Sequence, residues 1–373
     1  MLHLDRAGAE LTVDLAAIRC NYKKLQSKLG RGTELGAVVK ADAYGLGASK
    51  IARALARAGC KTYFVATLDE GIALRAVVGG AAIYVLNGLV GDEVEEFFVH
   101  RLRPVLNSMD QVARWCDKGK LKKTNNVAPA LHIDTGMNRL GIAMEDVQSF
   151  LRGPYKSLSL SLLMSHLACA EEALHPLNQT QLARFNTAVE ILRPSFENGI
   201  AISFVNSSGI FLGSDFHFDL ARAGAALFGI NPTPDQANIM SEVLNLKAKI
   251  VQVRCVDSPM TVGYGAAHQV KEAARIATVP VGYADGFIRS LGGRATAYIG
   301  EFCVPVIGRV SMDAITLDVS AIPVNLARPG AIVDLIGGRR ALDEVAFEAG
   351  TIAYELLTRV SGRIPRVYLD KVG

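Results

Sequence analysis

Residues 35–47 of this 373-residue chain read LGAVVKADAYGLG, which is an apolar run, a lysine and then a loop of small residues. A short apolar run that ends in turn-forming residues predicts a buried strand of a parallel sheet. The lysine, Lys40, follows this strand, and lysine is seldom buried unless it is paired or takes part in chemistry. Two interpretations remain open from the spacing. Its stem extends to solvent from the strand end, or its amine points into a cofactor pocket as a Schiff-base nucleophile.

The same pattern recurs between residues 11 and 230, where short apolar runs alternate with amphipathic segments of helix length. Such alternation is typical of repeated β-α units. The first helix is predicted to begin after Asp14 as its N-cap and to close at Gly30. The predicted strands cover residues 35–39, 63–66, 82–86, 103–105, 130–133, 161–165, 202–205 and 219–222. Eight strands with intervening helices predict a closed (β/α)8 barrel of the TIM type.

A doubly wound open sheet is the structural alternative, because local pattern does not determine whether a parallel sheet closes. No Gly-x-Gly-x-x-Gly lies at a first strand-to-helix turn, so a dinucleotide-binding fold is not indicated. In a barrel, active sites form at the carboxyl ends of the strands. The polar residues predicted to lie there are Lys40, Asn107, Asp134, His166, Ser207 and Arg222.

The pattern changes after about residue 240, where alternating strands with Gly and Pro turns replace the helical segments. Helix signals are scarce from there to the short segment at residues 352–357. The chain is therefore predicted to contain two domains, a barrel at residues 1–240 and a mostly β-strand domain at residues 241–373. The fold class is α/β plus β.

Composition excludes several classes of protein. Half of the residues are hydrophobic and 20% are charged, which is typical of a globular enzyme. The net charge of +4 is dispersed, so no basic stripe indicates nucleic acid as a partner. The six cysteines form no Cys-x-x-Cys pair, so no metal site is expected. Apolar runs are too short for a membrane span and residues 1–6 do not resemble a signal peptide, so the expected location is cytoplasmic.

Five motifs in order along the chain resemble those of the bacterial alanine racemase family, a pyridoxal-phosphate-dependent family. They are VVKADAYG at 38–45, DTGMNRLG at 134–141, GYG at 263–265, GYADG at 282–286 and GRVSMD at 308–313. The resemblance implies an isomerase that interconverts L-alanine and D-alanine by a two-base mechanism. The D-alanine would enter peptidoglycan, or the enzyme would act in alanine catabolism. It also implies the barrel-plus-β architecture.

The resemblance implies two catalytic bases, one for each face of the substrate. Lys40 matches the lysine that binds pyridoxal phosphate and then acts as one base. Tyr264, between two glycines, matches the other. In the family a hydrogen-bonded chain connects this tyrosine with a histidine and an arginine, matched here by His166 and Arg222. The family forms homodimers whose sites take the tyrosine from the partner, so a homodimer is predicted, although spacing alone does not decide between cis and trans.

The remaining site residues are also carried over from the family. The residues expected at the cofactor, besides Lys40, are Tyr44, Arg139, His166, Asn206, Ser207, Arg222, Gly224, Ala225 and Tyr354. Arg139 and the backbone amide of Met312 are expected at the substrate carboxylate. The residues expected to line the entrance corridor are Glu171, Tyr283, Arg289, Arg309 and Ile352.

The sequence departs from the family at three positions. Many relatives have a carbamate-modified lysine where this chain has His132, and no carbamate can form on a histidine. Leu46 and Ser311 replace a histidine and a cysteine. Three other functions remain as alternatives. They are a broad-specificity amino acid racemase, a decarboxylase of basic amino acids and a non-catalytic pyridoxal-phosphate-binding protein. The Gly-Tyr-Gly motif argues against the decarboxylase, and the second domain argues against the binding protein.

Overall fold

Eight parallel strands form a barrel in the computed structural model, which describes residues 6, 8–119, 127–155, 158–196 and 199–370. The strands are β2 (Glu34–Val38), β3 (Thr62–Val65), β4 (Ala82–Val85), β5 (Arg103–Leu106), β6 (Ala130–His132), β7 (Leu162–Met164), β8 (Ala201–Ser203) and β9 (Leu220–Ala223). Their order in the sheet follows the sequence, and β9 pairs in parallel with β2. All eight predicted strands are found, each within two residues of its expected ends.

The barrel is closed between β8 and β9 by backbone hydrogen bonds. The amide of Asp219 donates to the carbonyl of Ile202 at 3.0 Å, and the amide of Arg222 donates to the carbonyl of Val205 at 3.0 Å. Because these bonds connect the last two strands of the series, the sheet has no open edge there. The prediction of a closed barrel is confirmed, and the open-sheet alternative is wrong.

One helix precedes the first barrel strand, and the others lie between successive strands of the barrel or in the last part of the chain. They are α1 (Leu15–Lys28), α2 (Ala48–Arg57), α3 (Leu68–Arg75), α4 (Val94–Val99), α5 (Met109–Gly119), α6 (Met144–Arg152), α7 (Pro176–Leu192), α8 (Leu342–Ala349) and α9 (Ala353–Arg359). Asp14 is the N-cap of α1, since its Oδ1 accepts from the amides of Ala16 and Ala17 at 2.8 and 2.9 Å. The helix ends at Lys28 with Leu29 as its C-cap, two residues before the predicted stop.

The inside of the barrel is filled by side chains from alternate strand positions. A separate buried cluster consists of Phe64, Tyr84, Val105, Ala130, Leu162, Met164 and Leu220. Gly36 of β2 leaves room for this cluster, because a Cβ there would lie 3.1 Å from the Phe64 ring. The barrel is thus a packed core, and open space is left at its carboxyl end.

A second sheet contains nine strands, most of them from the last third of the chain. They are β1 (Ala9–Asp14), β10 (Leu244–Lys249), β11 (Gln252–Val256), β14 (Ala274–Val279), β15 (Thr296–Ile299), β16 (Phe302–Ile307), β17 (Ile315–Asp318), β18 (Ile332–Ile336) and β19 (Arg366–Leu369). Two short strands, β12 (Thr261–Val262) and β13 (His268–Gln269), form a separate hairpin. The expected mostly β-strand second domain is confirmed as a feature of the fold.

The first strand of the chain belongs to this second sheet and not to the barrel. β1 pairs antiparallel with β10 and parallel with β19. This corrects the assignment of residues 9–14 to the barrel. The alternating burial of β1 is the same for any sheet with one covered face, so the local pattern does not reveal the pairing partner. The division of the chain at residue 240 stays a prediction.

No helix in the described part of the chain is long and apolar enough to cross a membrane. Residues 1–5, which carried part of the prediction about a signal peptide, lie outside the described residues.

Candidate active site

A cavity of about 960 Å³ lies at the carboxyl ends of the barrel strands. The predicted site residues that line it are Lys40, Tyr44, Arg139, His166, Glu171, Asn206, Ser207, Arg222, Gly224, Ala225, Ile352 and Tyr354. His132 also lines it. The barrel strands and helix α9 therefore bring together residues that are more than 300 positions apart in the sequence.

Lys40 follows β2 and begins an unusual backbone segment. The four residues after it, Ala41 to Tyr44, all have positive φ, between 52° and 58°, and Gly45 continues at 79°. A left-handed turn costs about 1–2 kcal/mol per non-glycine residue, so surrounding contacts must hold it. Asp42 supplies one of these contacts, since its Oδ1 accepts from the amide of Ala48 at 2.7 Å.

The charges around Lys40 favour a neutral amine. Loss of water around the side chain lowers its pKa, the positive charge of Arg139 lowers it further, and Glu70 opposes them. The amine remains accessible from the cavity. A lysine with a lowered pKa that lines a cavity is the type that serves as a nucleophile, so this role of Lys40 stays the prediction that the surroundings favour.

Glu70 is a site residue that the sequence analysis missed. One carboxylate oxygen accepts from the amide of Ala41 at 2.7 Å, directly after Lys40, and the other accepts from the amide of Ala66 at 2.7 Å. Glu70 also forms a capping box with Thr67 at the start of α3. The signal was present in the sequence as Thr-x-x-Glu before a helix, and it indicates a helix start more directly than a role beside Lys40.

The loops after β8 and β9 form one connected end of the cavity. The Ser207 hydroxyl accepts from the amides of Gly224 and Ala226 at 2.9 and 3.3 Å. Asn206 Oδ1 accepts from the amide of Gly209 at 2.9 Å. Loops at these two positions of a barrel commonly bind phosphate.

Two tyrosines close this end of the cavity. The rings of Tyr44 and Tyr354 are 6.1 Å apart, and Tyr44 also packs against Phe228 at 4.8 Å. A Cβ on Gly224 would lie 2.5 Å from the Tyr44 hydroxyl, so only glycine fits there. Burial raises the pKa of Tyr44 to about 12 and keeps the phenol protonated. The Tyr354 hydroxyl donates to Glu171 Oε1 at 3.2 Å.

Arg222 is buried, and its guanidinium is fixed by its neighbours. Nη1 donates to the Ser203 hydroxyl at 2.6 Å, while Nη2 lies 2.6 Å from the Ser165 carbonyl and 3.2 Å from His166 Nδ1. Burial lowers the pKa of Arg222 to about 9, which leaves it charged at neutral pH. Burial and the nearby Arg222 charge hold the pKa of His166 well below its usual value, so this histidine is neutral.

Arg139 is placed by the loop after β6. Asp134 Oδ1 accepts from the amides of Gly136, Met137 and Asn138 at 2.9, 3.0 and 3.1 Å. Arg139 follows this turn directly, and its exposed side chain lines the cavity.

Five of the predicted residues are not brought to this cavity within one chain. Among the described residues that line it, Tyr264, Tyr283, Arg289, Arg309 and Met312 do not occur. Tyr264 leaves 71% of its surface exposed, and Met312 leaves 53%. Their roles stay predictions.

Four of these residues, Tyr264, Tyr283, Arg309 and Met312, lie on connected loops of the second domain. The amides of Tyr283 and Ala284 donate to the carbonyls of Ser311 and Met312 at 3.1 and 3.0 Å. A Cβ on Gly265, beside Tyr264, would lie 2.9 Å from Arg309 Nη1. We refer to Tyr264, Tyr283, Arg309 and Met312 as the tyrosine surface. It presents an aromatic and apolar patch to solvent.

Comparison with known families covers almost all of the chain. Residues 13–232 match the family model "Alanine racemase, N-terminal domain", and residues 243–368 match "Alanine racemase, C-terminal domain". The chain belongs to the alanine racemase family. The resemblance stated from the five motifs is therefore confirmed.

Alanine racemases from several bacteria are similar to this chain over nearly full length. The protein from Rhodospirillum rubrum is 47% identical over 371 residues, which are 99% of this chain and 98% of that protein. A catabolic alanine racemase from Mesorhizobium japonicum is 44% identical over 97% of this chain and 94% of its own length.

Solved alanine racemases have the same fold. The enzyme of Bartonella henselae, with covalently bound pyridoxal phosphate, is 36% identical and superimposes with a TM-score of 0.91 over 97% of this chain and 99% of that chain. The biosynthetic alanine racemase of Pseudomonas aeruginosa is 33% identical, with a TM-score of 0.89 and the same coverage of both chains.

Proposed function

We propose that the chain interconverts L-alanine and D-alanine and that it uses pyridoxal phosphate bound at Lys40. The observation that carries the proposal is the placement of Lys40, with its lowered pKa, in the same cavity as the buried Arg222 and His166. A lysine that loses its charge serves both as a nucleophile toward a carbonyl and as a base. The similar enzyme of Bartonella henselae holds the same cofactor covalently.

The residues at the closed end of the cavity fit the phosphate of this cofactor. Gly224 lies where a Cβ would collide with Tyr44, so the backbone there stays open to a ligand. Hydroxyl and amide groups surround this space, and phosphate prefers such donors. The residues that would hold the phosphate are Tyr44, Asn206, Ser207, Gly224, Ala225 and Tyr354. Arg139 would bind the ring oxygen, and Arg222 would face the ring nitrogen.

When bound, pyridoxal phosphate supplies an electron sink for the substrate α-carbon. The protein then has to remove and return a proton, and Lys40 Nζ would do so on one face. Its lowered pKa makes the neutral, proton-accepting form available at a lower pH than for a solvated lysine. Arg222, fixed by Ser203, Ser165 and His166, keeps its own protons at this pH. It would therefore leave the ring nitrogen unprotonated and would limit side reactions at the α-carbon.

His166 would pass the influence of Arg222 to the second base. Since Arg222 Nη2 donates to Nδ1, the single proton of neutral His166 lies on Nε2. That nitrogen is then a hydrogen-bond donor toward the cavity. A phenol that accepts this bond is a better base, because the donor stabilises the phenolate. Tyr264 would be this phenol on the opposite face of the substrate.

We infer that Tyr264 reaches the cavity of a second copy of the chain, in a two-fold homodimer. The tyrosine surface is exposed and does not line the cavity of its own chain. An aromatic patch with Met312 and Arg309 has the composition of an interface core. The partner chain would also supply the substrate-binding amide of Met312 and the corridor residues Tyr283, Arg289 and Arg309. Glu171 and Ile352 would complete the corridor from the barrel side.

The activity is tested by incubating the purified holoenzyme with L-alanine in deuterated water. We expect loss of optical rotation together with deuterium at the α-carbon, because the abstracted proton exchanges with solvent. Lys40→Ala is the control and should give neither signal. If the holoenzyme shows bound cofactor by absorbance but alanine stays optically pure and unlabelled, the substrate assignment is wrong. Serine and lysine would then be tested as substrates of a broader racemase.

A further inference from the structure

His132 lies at the end of β6, and its ring has one committed nitrogen and one available nitrogen. The side chain is buried, with 8% of its surface exposed, yet it lines the cavity. Nδ1 lies 2.8 Å from Asn107 Oδ1. No hydrogen bond to Nε2 is found among the described residues. Nε2 is not among the buried side-chain atoms without a partner, so this nitrogen is open to the cavity and available to a neighbouring donor.

The neighbours of Asn107 determine which nitrogen of His132 carries the proton. Asn107 Nδ2 donates to the carbonyls of Leu86 and Val105 at 2.8 and 2.9 Å. These two bonds fix the orientation of the amide, so Oδ1 faces the histidine and must accept a proton from it. His132 Nδ1 is therefore the donor. In the neutral ring, Nε2 is then a lone-pair acceptor on the opposite side, away from Asn107.

The structure also shows why the ring is neutral. Burial lowers the pKa of His132 to about 4, with a second contribution from Arg222. The charged and titratable groups that face it are Asp134 and Arg139 from the loop after β6, His166 after β7 and Arg222 on β9. Asp134 alone favours the charged ring, and the cations outweigh it.

Arg139 is the cation near His132 that lacks a partner in the described part of the chain. Arg222 is committed to Ser203, Ser165 and His166. No hydrogen bond or ion pair of the Arg139 guanidinium occurs among the described residues, although it lines the same cavity and its charge acts on the His132 ring. An acceptor and a donor without partners thus face one cavity.

We propose that His132 is a positioning residue that holds Arg139, with Asn107 fixing the histidine proton on Nδ1 so that Nε2 accepts from the guanidinium. The proposal rests on the proposed function, in which Arg139 binds the cofactor ring oxygen and the substrate carboxylate. A neutral acceptor orients the guanidinium without cancelling its charge. Arg139 therefore keeps its full attraction for a carboxylate and its full effect on Lys40, which an anionic partner would reduce.

The first test reads the tautomer directly in the holoenzyme labelled with 15N-histidine. We expect the His132 signals, assigned by their loss in His132→Gln, to show a protonated Nδ1 and an unprotonated Nε2. His217 is an internal comparison because it is also buried and its Nε2 lies 2.8 Å from the Ile210 carbonyl, which requires the opposite tautomer. Protonation of His132 at Nε2 would overturn the proposal, whatever the activity of the protein.

The second test separates positioning from packing with two substitutions of His132. In His132→Asn the side-chain amide reproduces Nδ1 and keeps the bond to Asn107, but it offers nothing at the Nε2 position. In His132→Gln the amide oxygen reproduces Nε2. We expect His132→Asn to raise the KM for L-alanine about tenfold. His132→Gln should raise it less, although it loses the Asn107 bond and has the lower Tm.

The opposite order in KM, with His132→Asn the milder change in both KM and Tm, would show a packing role and overturn the proposal. Cofactor affinity, measured by equilibrium titration of absorbance, should fall more in His132→Asn than in His132→Gln, as the KM values predict. If neither variant folds, the tautomer measurement on the wild-type protein decides. If the wild type binds the cofactor without racemising alanine, the proposed function fails while the tautomer still tests the His132 assignment.

Discussion

At the scale of single residues, the pKa of the Lys40 amine depends on two neighbours of opposite charge. Arg139 lowers the pKa of the amine and Glu70 raises it, on top of the lowering by burial. The neutral amine is the reactive form of a lysine, so in the proposed mechanism both neighbours influence the pH at which Lys40 would act as a nucleophile. Neither neighbour lies next to Lys40 in the sequence, and both are placed by turns that follow other strands.

Substitutions of these two neighbours should shift the pKa of the Lys40 amine in opposite directions. Arg139→Gln removes a positive charge and should raise the Lys40 pKa, so cofactor attachment would need a higher pH. Glu70→Gln removes a negative charge and should move the midpoint to lower pH, while an amide oxygen remains for the Ala41 amide. The measurement is the rate at which cofactor-stripped protein binds pyridoxal phosphate covalently, followed by absorbance as a function of pH. Shifts of both variants in the same direction would contradict the charge argument.

At the scale of elements, the turn after Lys40 is a run of consecutive non-glycine residues in the left-handed conformation. Residues 41–44 hold positive φ without a glycine, and only Asp42 among them belongs to a residue type that tolerates this conformation well. Asp42 Oδ1 bonds the amide of Ala48 in the first turn of α2. The C-terminal strand β19 adds further support, because Arg366 donates to the Gly45 carbonyl at 2.9 Å and Tyr368 donates to that of Leu46 at 2.9 Å.

We expect Asp42→Ala to lower the free energy of unfolding by about 1–2 kcal/mol, since it removes the acceptor for the Ala48 amide and leaves alanine in a left-handed conformation. Asp42→Asn is the matched control and should stay close to wild type, because asparagine tolerates positive φ and retains an acceptor oxygen. Urea denaturation of the two variants measures the difference. Equal losses in both would mean that the carboxylate charge, and not the turn geometry, stabilises this segment.

At the scale of the whole molecule, the two proposed bases lie in different parts of the chain, and Tyr264 does not line the cavity that holds Lys40. Lys40 is in the barrel, whereas Tyr264 lies on the exposed tyrosine surface of the second domain. A two-fold dimer would place each surface over the partner's cavity and would cover the aromatic patch in the same step. The proposed catalytic unit is therefore the dimer.

Mixed dimers test this arrangement. Lys40→Ala and Tyr264→Phe chains should each be nearly inactive in racemisation, because each removes one base from every site. When they are co-refolded in equal amounts, a hybrid dimer regains one site with Lys40 from one chain and Tyr264 from the other. Roughly a quarter of wild-type activity should return, since half of the dimers are hybrids and each has one intact site. If the bases act within one chain, mixing restores nothing.

The sequence by itself determined the eight barrel strands, the Asp14 cap and the position of Lys40 at a strand end. These features depend on local periodicity and capping, which short segments express independently of the rest of the chain. The five motifs also identified the family, and the family resemblance supplied the predicted residues that line the cavity. Tyr44, Ser207 and Arg222 meet there because parallel strands all end on the same face, and Tyr354 reaches the cavity from helix α9.

Only the tertiary structure decided what depends on distant partners. It placed β1 in the second sheet, since a strand's periodicity does not specify its neighbour. It put Glu70 on the Ala41 amide and left the tyrosine surface outside the cavity of its own chain. It also fixed the proton of His132 through Asn107, because a tautomer follows from which atoms face the ring after folding and not from the residue's identity.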